Sequence, residues 1–122
     1  MSCPFCNINE DKIIAKNKFS YAIYDKYPVN KGHILIISKE HIRDYFDAST
    51  EVREAIFDLM EDCKSLLDNK YNPNGYNIGF NCGKEAGQTI MHFHLHLIPR
   101  YEGDIEDPTG GVRGVIPEKR VY

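Results

Sequence analysis

In the stretch "GQTIMHFHLHLIPRY", Gly87 to Tyr101, three of the five histidines, His92, His94 and His96, stand at alternate positions. An imidazole titrates near pH 6.5, so at physiological pH it is free to ligate a metal or to attack an electrophile. Two chemistries fit three rings in a row. Histidines two apart on a strand can hold one zinc whose open position carries a reactive water. Alternatively, one ring is a nucleophile and its neighbours orient it. The preceding loop "GKEAGQT" offers two glycines, a Gln amide and a Thr hydroxyl, and glycine lets backbone N–H groups come close to phosphate oxygens. That favours phosphorus as the electrophile, because an N–P bond is labile enough for water to break in a second step.

A second constellation is "CPFC", with Cys3 and Cys6. A redox dithiol of the thioredoxin type would follow a strand at a helix start, and nothing strand-like precedes Cys3. Half a zinc site is the better reading, and His41 in "SKEHI" is a histidine that the alternating set leaves over. Cys63 lies on the apolar face of a helix and Cys82 in a loop, neither with an evident partner.

These groups need elements to hold them. Along a strand, His92, His94 and His96 share one face while Phe93, Leu95 and Leu97 point into the core, so "HFHLHLIP" is expected to be a strand. "KFSYAIY" (18–24), "GHILIIS" (32–38) and "YNIGFNCG" (76–83) are also strand-like, and "DKYPVNKG" between the first two is a loop. Ser49 or Thr50 caps a helix through "EVREAIFDLMEDCKSLLDNKY", with Val52, Ile56, Leu59, Cys63, Leu66 and Leu67 at helical spacing. "NPNG" stops it. The order of elements, without a repeated strand-helix-strand rhythm, predicts an α+β fold with an antiparallel sheet and one main helix on a face. The tail "EGDIEDPTGGVRGVIPEKRVY" (102–122) is expected to be extended and held by something outside its own core.

At 122 residues and a formal charge of −3, a single domain is expected. The scattered Lys and Arg exclude nucleic acid as the main partner. No apolar run approaches the roughly 18 residues of a membrane span and "MSCPFCNINEDK" lacks the pattern of a secretory signal, so a cytoplasmic protein with reduced thiols is expected.

"QTIMHFHLHLIPR" resembles the His-x-His-x-His signature of the histidine triad (HIT) family of nucleotide hydrolases and transferases. "YAIYDKYPVNKGHILIISKEHI" resembles the family's first half, and the tail resembles the ending of bacterial members. The resemblance implies one HIT domain over 1–122, with about five antiparallel strands, one long helix and a short one. It further implies a homodimer sharing a continuous sheet, with the tail at the interface. It makes His94 the nucleophile on a nucleotide's α-phosphorus, His96 a phosphate contact and His33 the order-giver of the ring network. Asn81, Gln88 and Thr89 would bind phosphate or leaving group, and Gly87 would permit close approach. Asp25 would accept the ribose hydroxyls, and Phe5, Ile8 and Ile23 would form the base slot. A structural zinc would be held by Cys3 and Cys6, from a zinc-binding N-terminal segment spanning 1–10, together with His41 and His92. The activity implied is hydrolysis of dinucleoside polyphosphates or nucleoside phosphoramidates; transferase relatives carry glutamine where this chain keeps His96. A nucleotide sensor and an open-zinc metallohydrolase using all three histidines are the alternatives.

Overall fold

The computed structural model describes residues 3–122; the first two residues of the expected 1–10 segment lie outside the described residues. The strands are β1 (Ala15–Lys16), β2 (Ser20–Tyr24), β3 (Ile34–Ser38), β4 (Gly75–Gly79) and β5 (His94–Arg100), with one helix, α1 (Thr50–Tyr71). They form one sheet in the order β1-β2-β3-β5-β4, every neighbouring pair antiparallel. The α+β class and the five strands match the expectation.

Helix α1 starts where the Ser49 hydroxyl accepts the Val52 N–H at 3.2 Å, filling one of the orphan donors of the first turn. It ends at Asn72, whose left-handed conformation (φ 50°) precedes Pro73, a residue unable to continue a helix. Its stripe of Val52, Ile56, Leu59, Cys63 and Leu67 packs on Ala22, Ile34, Ile36, Leu95 and Leu97 of the sheet and on Phe93 just before β5. Gly32 sits under the helix with φ +89°, and a Cβ there would lie 3.0 Å from Leu67 and Tyr71, so the turn before β3 needs glycine.

The other face of β2 and β3 is also covered. Tyr21, Ile23, Leu35 and Ile37 are buried against Phe5 of the N-terminal segment, with Ile8 and Ile13 alongside, and the Tyr21 hydroxyl donates to the Phe5 carbonyl. Strands buried on both faces read as continuous apolar runs, as "ILII" does.

Four expectations are corrected. The last strand begins at His94 rather than His92, because the chain turns at Ile90–His92 and Phe93 N–H donates to the Ile42 carbonyl instead. Strand β4 stops at Gly79, since Gly83 (φ +97°) and the ties of Gln88 hold the following residues as a loop. The short helix takes the form of brief 3-10 turns. The tail is not simply extended: Gly110 (φ 93°) and Gly111 (φ 47°) swing it into turns at Gly111–Val115 and Pro117–Lys119.

Candidate active site and metal centre

Strand β5 keeps the alternation of its sequence. Leu95, Leu97 and Pro99 are buried on the helix side, while His94 and His96 face a cavity of about 670 Å³ on the other. Phe5, Ile8 and Ile23 line this cavity together with Asp25 and with Asn81, Gly87, Gln88 and Thr89 of the loop before β5. Residues distant in sequence thus meet at the two rings.

Hydrogen bonds fix the tautomer of each ring. His94 Nδ1 lies 2.7 Å from the carbonyl oxygen of His92, so Nδ1 carries the proton and donates it. The Nε2 lone pair of His94 is left free. The Val29 N–H donates to His33 Nδ1 at 3.0 Å, which puts the His33 proton on Nε2. From there it is donated to His96 Nδ1 at 2.9 Å, with an Asp25 oxygen 3.4 Å away. His96 therefore bears its own proton on Nε2. His33 is buried behind this pair, outside the cavity lining.

Burial governs the charges of these rings. It pushes His33 and His94 below the ordinary histidine value; Asp25 opposes the shift at His33, and at His94 the His92 carbonyl does so with Asp25. His96 is pushed down to about 4, by burial first and then by His94 and His33.

Several expected contacts find different partners. Gln88 lines the cavity, but its amide is committed: Oε1 accepts the Gly83 N–H at 2.9 Å, and Nε2 donates to the Arg43 carbonyl at 2.7 Å and to the Ile90 carbonyl at 3.2 Å. It shapes the loop and has no donor left for a phosphate. Asp25 does two jobs, one oxygen accepting the Tyr27 N–H at 2.9 Å to start the turn and the other facing His33. Phe5 is more than a slot wall, because its ring stands edge-on to His94 at 4.9 Å and to His92 at 5.9 Å. Asn81 and Thr89 are exposed at the cavity, and Cys63 is buried in α1 as expected, its thiol pushed up to about 11 by burial.

His92 points elsewhere. Its Nε2–H donates to the Ser38 carbonyl at 2.7 Å, turning Nδ1 toward Cys3 Sγ (3.4 Å), Cys6 Sγ (3.6 Å) and His41 Nδ1 (3.2 Å). Cys6 Sγ is 3.2 Å from the same His41 nitrogen. Zinc bonds of 2.0–2.3 Å set at a tetrahedral angle give ligand separations of roughly 3.3–3.8 Å, and these separations are close to that range. The four groups are one of two metal-competent clusters among the described residues, the other being Asp25, His33 and His96. His94 belongs to neither. The alternative of a single metal on His92, His94 and His96 is therefore corrected: the three rings do not converge on one point.

The sequence reading overlooked Leu35, Ile90, Lys12 and Tyr27, which also line the cavity. Leu35 was legible only as core, since a strand buried on both faces does not reveal which face holds a ligand.

A model of the HIT domain matches residues 7–103. The chain belongs to the HIT family. A Zn-bound histidine triad family protein from Mycobacterium smegmatis superposes on this HIT chain with a TM-score of 0.78 at 32% identity, over 87% of this chain and 80% of that one. A diadenosine triphosphate hydrolase from Plasmodium falciparum gives 0.76 at 32% identity, over 82% and 68%. In sequence, the AP-4-A phosphorylase of Mycobacterium tuberculosis is 29% identical over 118 residues, 94% of this HIT chain and 60% of its own length.

Proposed function

We propose that the chain is a nucleotide hydrolase that cleaves a phosphoanhydride or phosphoramidate bond at the α-phosphate through a covalent nucleotidyl-His94. The observation that carries this reading is the 2.7 Å bond from His94 Nδ1–H to the His92 carbonyl: it holds Nε2 as a free lone pair in a cavity with an apolar wall and a carboxylate. The base lies against Phe5, Ile8 and Ile23, and Asp25 accepts the ribose hydroxyls.

In the first step His94 Nε2 attacks phosphorus, a P–N bond forms, and the bond to the leaving group breaks with its electron pair going to the departing oxygen or nitrogen. A polyphosphate departs as an oxyanion, and an amine takes a proton from solvent. The phosphorylated ring is now an imidazolium, and the His92 carbonyl stabilises its Nδ1–H. His96 Nε2–H donates to a phosphoryl oxygen, supported from behind by His33. Gly87 (φ +97°) lets the loop backbone approach, and Asn81 and Thr89 offer the polar side chains. Water then attacks phosphorus and gives up a proton to solvent, the P–N bond breaks with its electron pair returning to Nε2, and the nucleoside monophosphate leaves with His94 neutral again.

The Cys3, Cys6, His41 and His92 cluster is read as a structural zinc site. Four protein ligands leave no open position for a water, so the ion would anchor the N-terminal segment and the residue whose carbonyl orients His94. A homodimer and a cytoplasmic location complete the proposal.

The test is intact-protein mass spectrometry after brief, acid-free exposure to diadenosine tetraphosphate or an adenosine phosphoramidate. An AMP adduct is expected on the wild type, accumulating in His96→Ala and absent in His94→Ala, whose turnover falls by at least ~10³-fold. Steady AMP release by His94→Ala without any adduct would overturn the nucleophile assignment. Unchanged nucleotide affinity in His94→Ala, with a wild type that forms no adduct and releases no AMP, would favour the sensor.

A further inference from the structure

The N-terminal segment belongs to two structures at once, the Cys/His cluster and the wall of the nucleotide cavity. Cys3 and Cys6 turn their sulfurs toward His92 and His41. Phe5, which lies between them in sequence, sets its ring edge-on to His94 at 4.9 Å. The same segment borders a surface cavity of about 250 Å³, lined by Cys6 with Tyr21, Lys16 and Lys39. Phe5 and Ile8 line both this cavity and the one beside His94. These two side chains are therefore a partition, with the base slot on one side and an exposed thiol on the other. A small oxidant reaches Cys6 without entering the base slot.

The local backbone also brings the two sulfurs together. Cys6 N–H donates to the Cys3 carbonyl at 3.1 Å, closing a four-residue turn whose ends lie within about 7 Å. A disulfide joins residues whose Cα atoms are about 4.4–6.8 Å apart, and both sulfurs already lie within 4.8 Å of one another. The pair can close without unfolding the segment.

We infer that Cys3 and Cys6 are a modification site, a peroxide-sensitive thiol pair whose oxidation gives up the metal and loosens the wall of the base slot. The inference rests on the proposed function, since the wall bounds the nucleotide cavity. The Cys6 thiolate attacks a peroxide oxygen; an S–O bond forms, the O–O bond breaks, and hydroxide leaves a sulfenic acid behind. The Cys3 thiolate then attacks the Cys6 sulfur, the S–S bond forms, the S–O bond breaks, and a second hydroxide departs. Peroxide has taken the two electrons, and both hydroxides draw protons from solvent to become water. The disulfide sulfurs carry no charge, and His41 and His92 alone are two short of the four ligands of a structural zinc, so the pair no longer retains the ion. His92 keeps its bond to the Ser38 carbonyl at 2.7 Å, so its own carbonyl still sets the His94 tautomer. The Tyr21 hydroxyl still donates to the Phe5 carbonyl, so the wall loosens without leaving. Nucleotide affinity falls while the nucleophile stays in place, and a dithiol with zinc reverses the change.

The experiment uses the full zinc-loaded chain carrying Cys82→Ser, which leaves the pair and the core-buried Cys63 as its thiols. It is treated with hydrogen peroxide, then with dithiothreitol and zinc. Released zinc is read with a colorimetric chelator, the disulfide as an intact mass lighter by two hydrogens, and AMP affinity by calorimetry, AMP being a probe of the base slot that is not turned over. The expected result is one zinc released per disulfide, AMP affinity weakened about tenfold and regained on reduction, and unchanged circular dichroism. The AMP adduct should still form on the oxidised chain at saturating diadenosine tetraphosphate. Phe5→Ala should start about tenfold weaker for AMP, still release zinc, and lose less than about twofold more on oxidation, which ties the effect to the wall. A reduced chain that takes up no zinc, zinc retained after peroxide, or a disulfide with AMP affinity within twofold overturns the inference. So does collapse of the circular dichroism, which would make oxidation a simple unfolding. If the reduced chain binds AMP and forms the His94 adduct while oxidation leaves affinity unmoved, the thiol pair alone fails; if it binds no AMP and forms no adduct, the nucleotide reading fails with it.

Discussion

At the scale of the residue, carbonyl oxygens and one backbone N–H decide which nitrogen of each histidine is available. The His92 carbonyl sets His94, the Ser38 carbonyl sets His92, and the Val29 N–H sets His33 and through it His96. None of these backbone partners is visible in a list of residue types. The alternation of the three histidines was legible; that His92 turns away from His94 and His96 was not, because the spacing places all three on one face and the turn at Ile90–His92 breaks that pattern. The commitment of Gln88 to Arg43, forty-five positions away, was not, because a sequence does not reveal which long-range carbonyl claims an amide. The depressed histidines also make stability depend on pH. His33 and His96 lie below their unfolded value of about 6.5, with His96 at about 4, so between those limits the unfolded chain binds more protons than the folded one. Stability is complete above about pH 6.5 and falls as pH drops toward 4. Denaturant midpoints measured at pH 7 and pH 5 should separate, and His96→Asn should narrow the gap; a midpoint flat across that range contradicts the assignment.

At the scale of the element, β5 and α1 were readable because each keeps one period throughout, two for the strand and near 3.6 for the helix. Strand β1, two residues long, carries no period at all. The tail turns depend on positive φ at Gly110 and Gly111, which a glycine permits without requiring. The N-terminal segment is the element whose attachment is most testable, since Cys3 and Cys6 tie it to His41 and His92. The purified chain should carry about one zinc per chain by plasma emission, and Cys6→Ser should lose it. If metal is held at a thousandfold over its Kd, its removal costs about 4 kcal/mol of stability, read as a lower thermal midpoint. Turnover should decline only as the metal-free chain loosens. Immediate loss in a chain whose circular dichroism is unchanged would point to a metal that takes part in the reaction.

At the scale of the whole molecule, β4 is an edge strand with one side of its backbone unpaired. Edge strands invite pairing with another chain, and two copies joined through β4 would give one continuous ten-stranded sheet. Sedimentation velocity at micromolar concentration should then report twice the 14.1 kDa chain mass. Hydrogen exchange in the segment 75–79 should slow as concentration rises. A 14.1 kDa species throughout, with those amides exchanging at one rate, contradicts the shared sheet.

The separation in sequence between Cys3 and His92, 89 positions, bears on how the molecule comes into being. Segments near the N-terminus leave the ribosome first, yet the layer they form over β2 and β3 includes a cluster that needs His92, just before β5 and about three-quarters of the way along. Until then Phe5 has β2 and β3 to lie on, but the two thiols and His41 lack the fourth member of their cluster. Contacts of such long span form late and slow folding, so in a nascent chain stalled before Met91 the segment 3–12 should be cut by proteases faster than in one in which His92 has emerged.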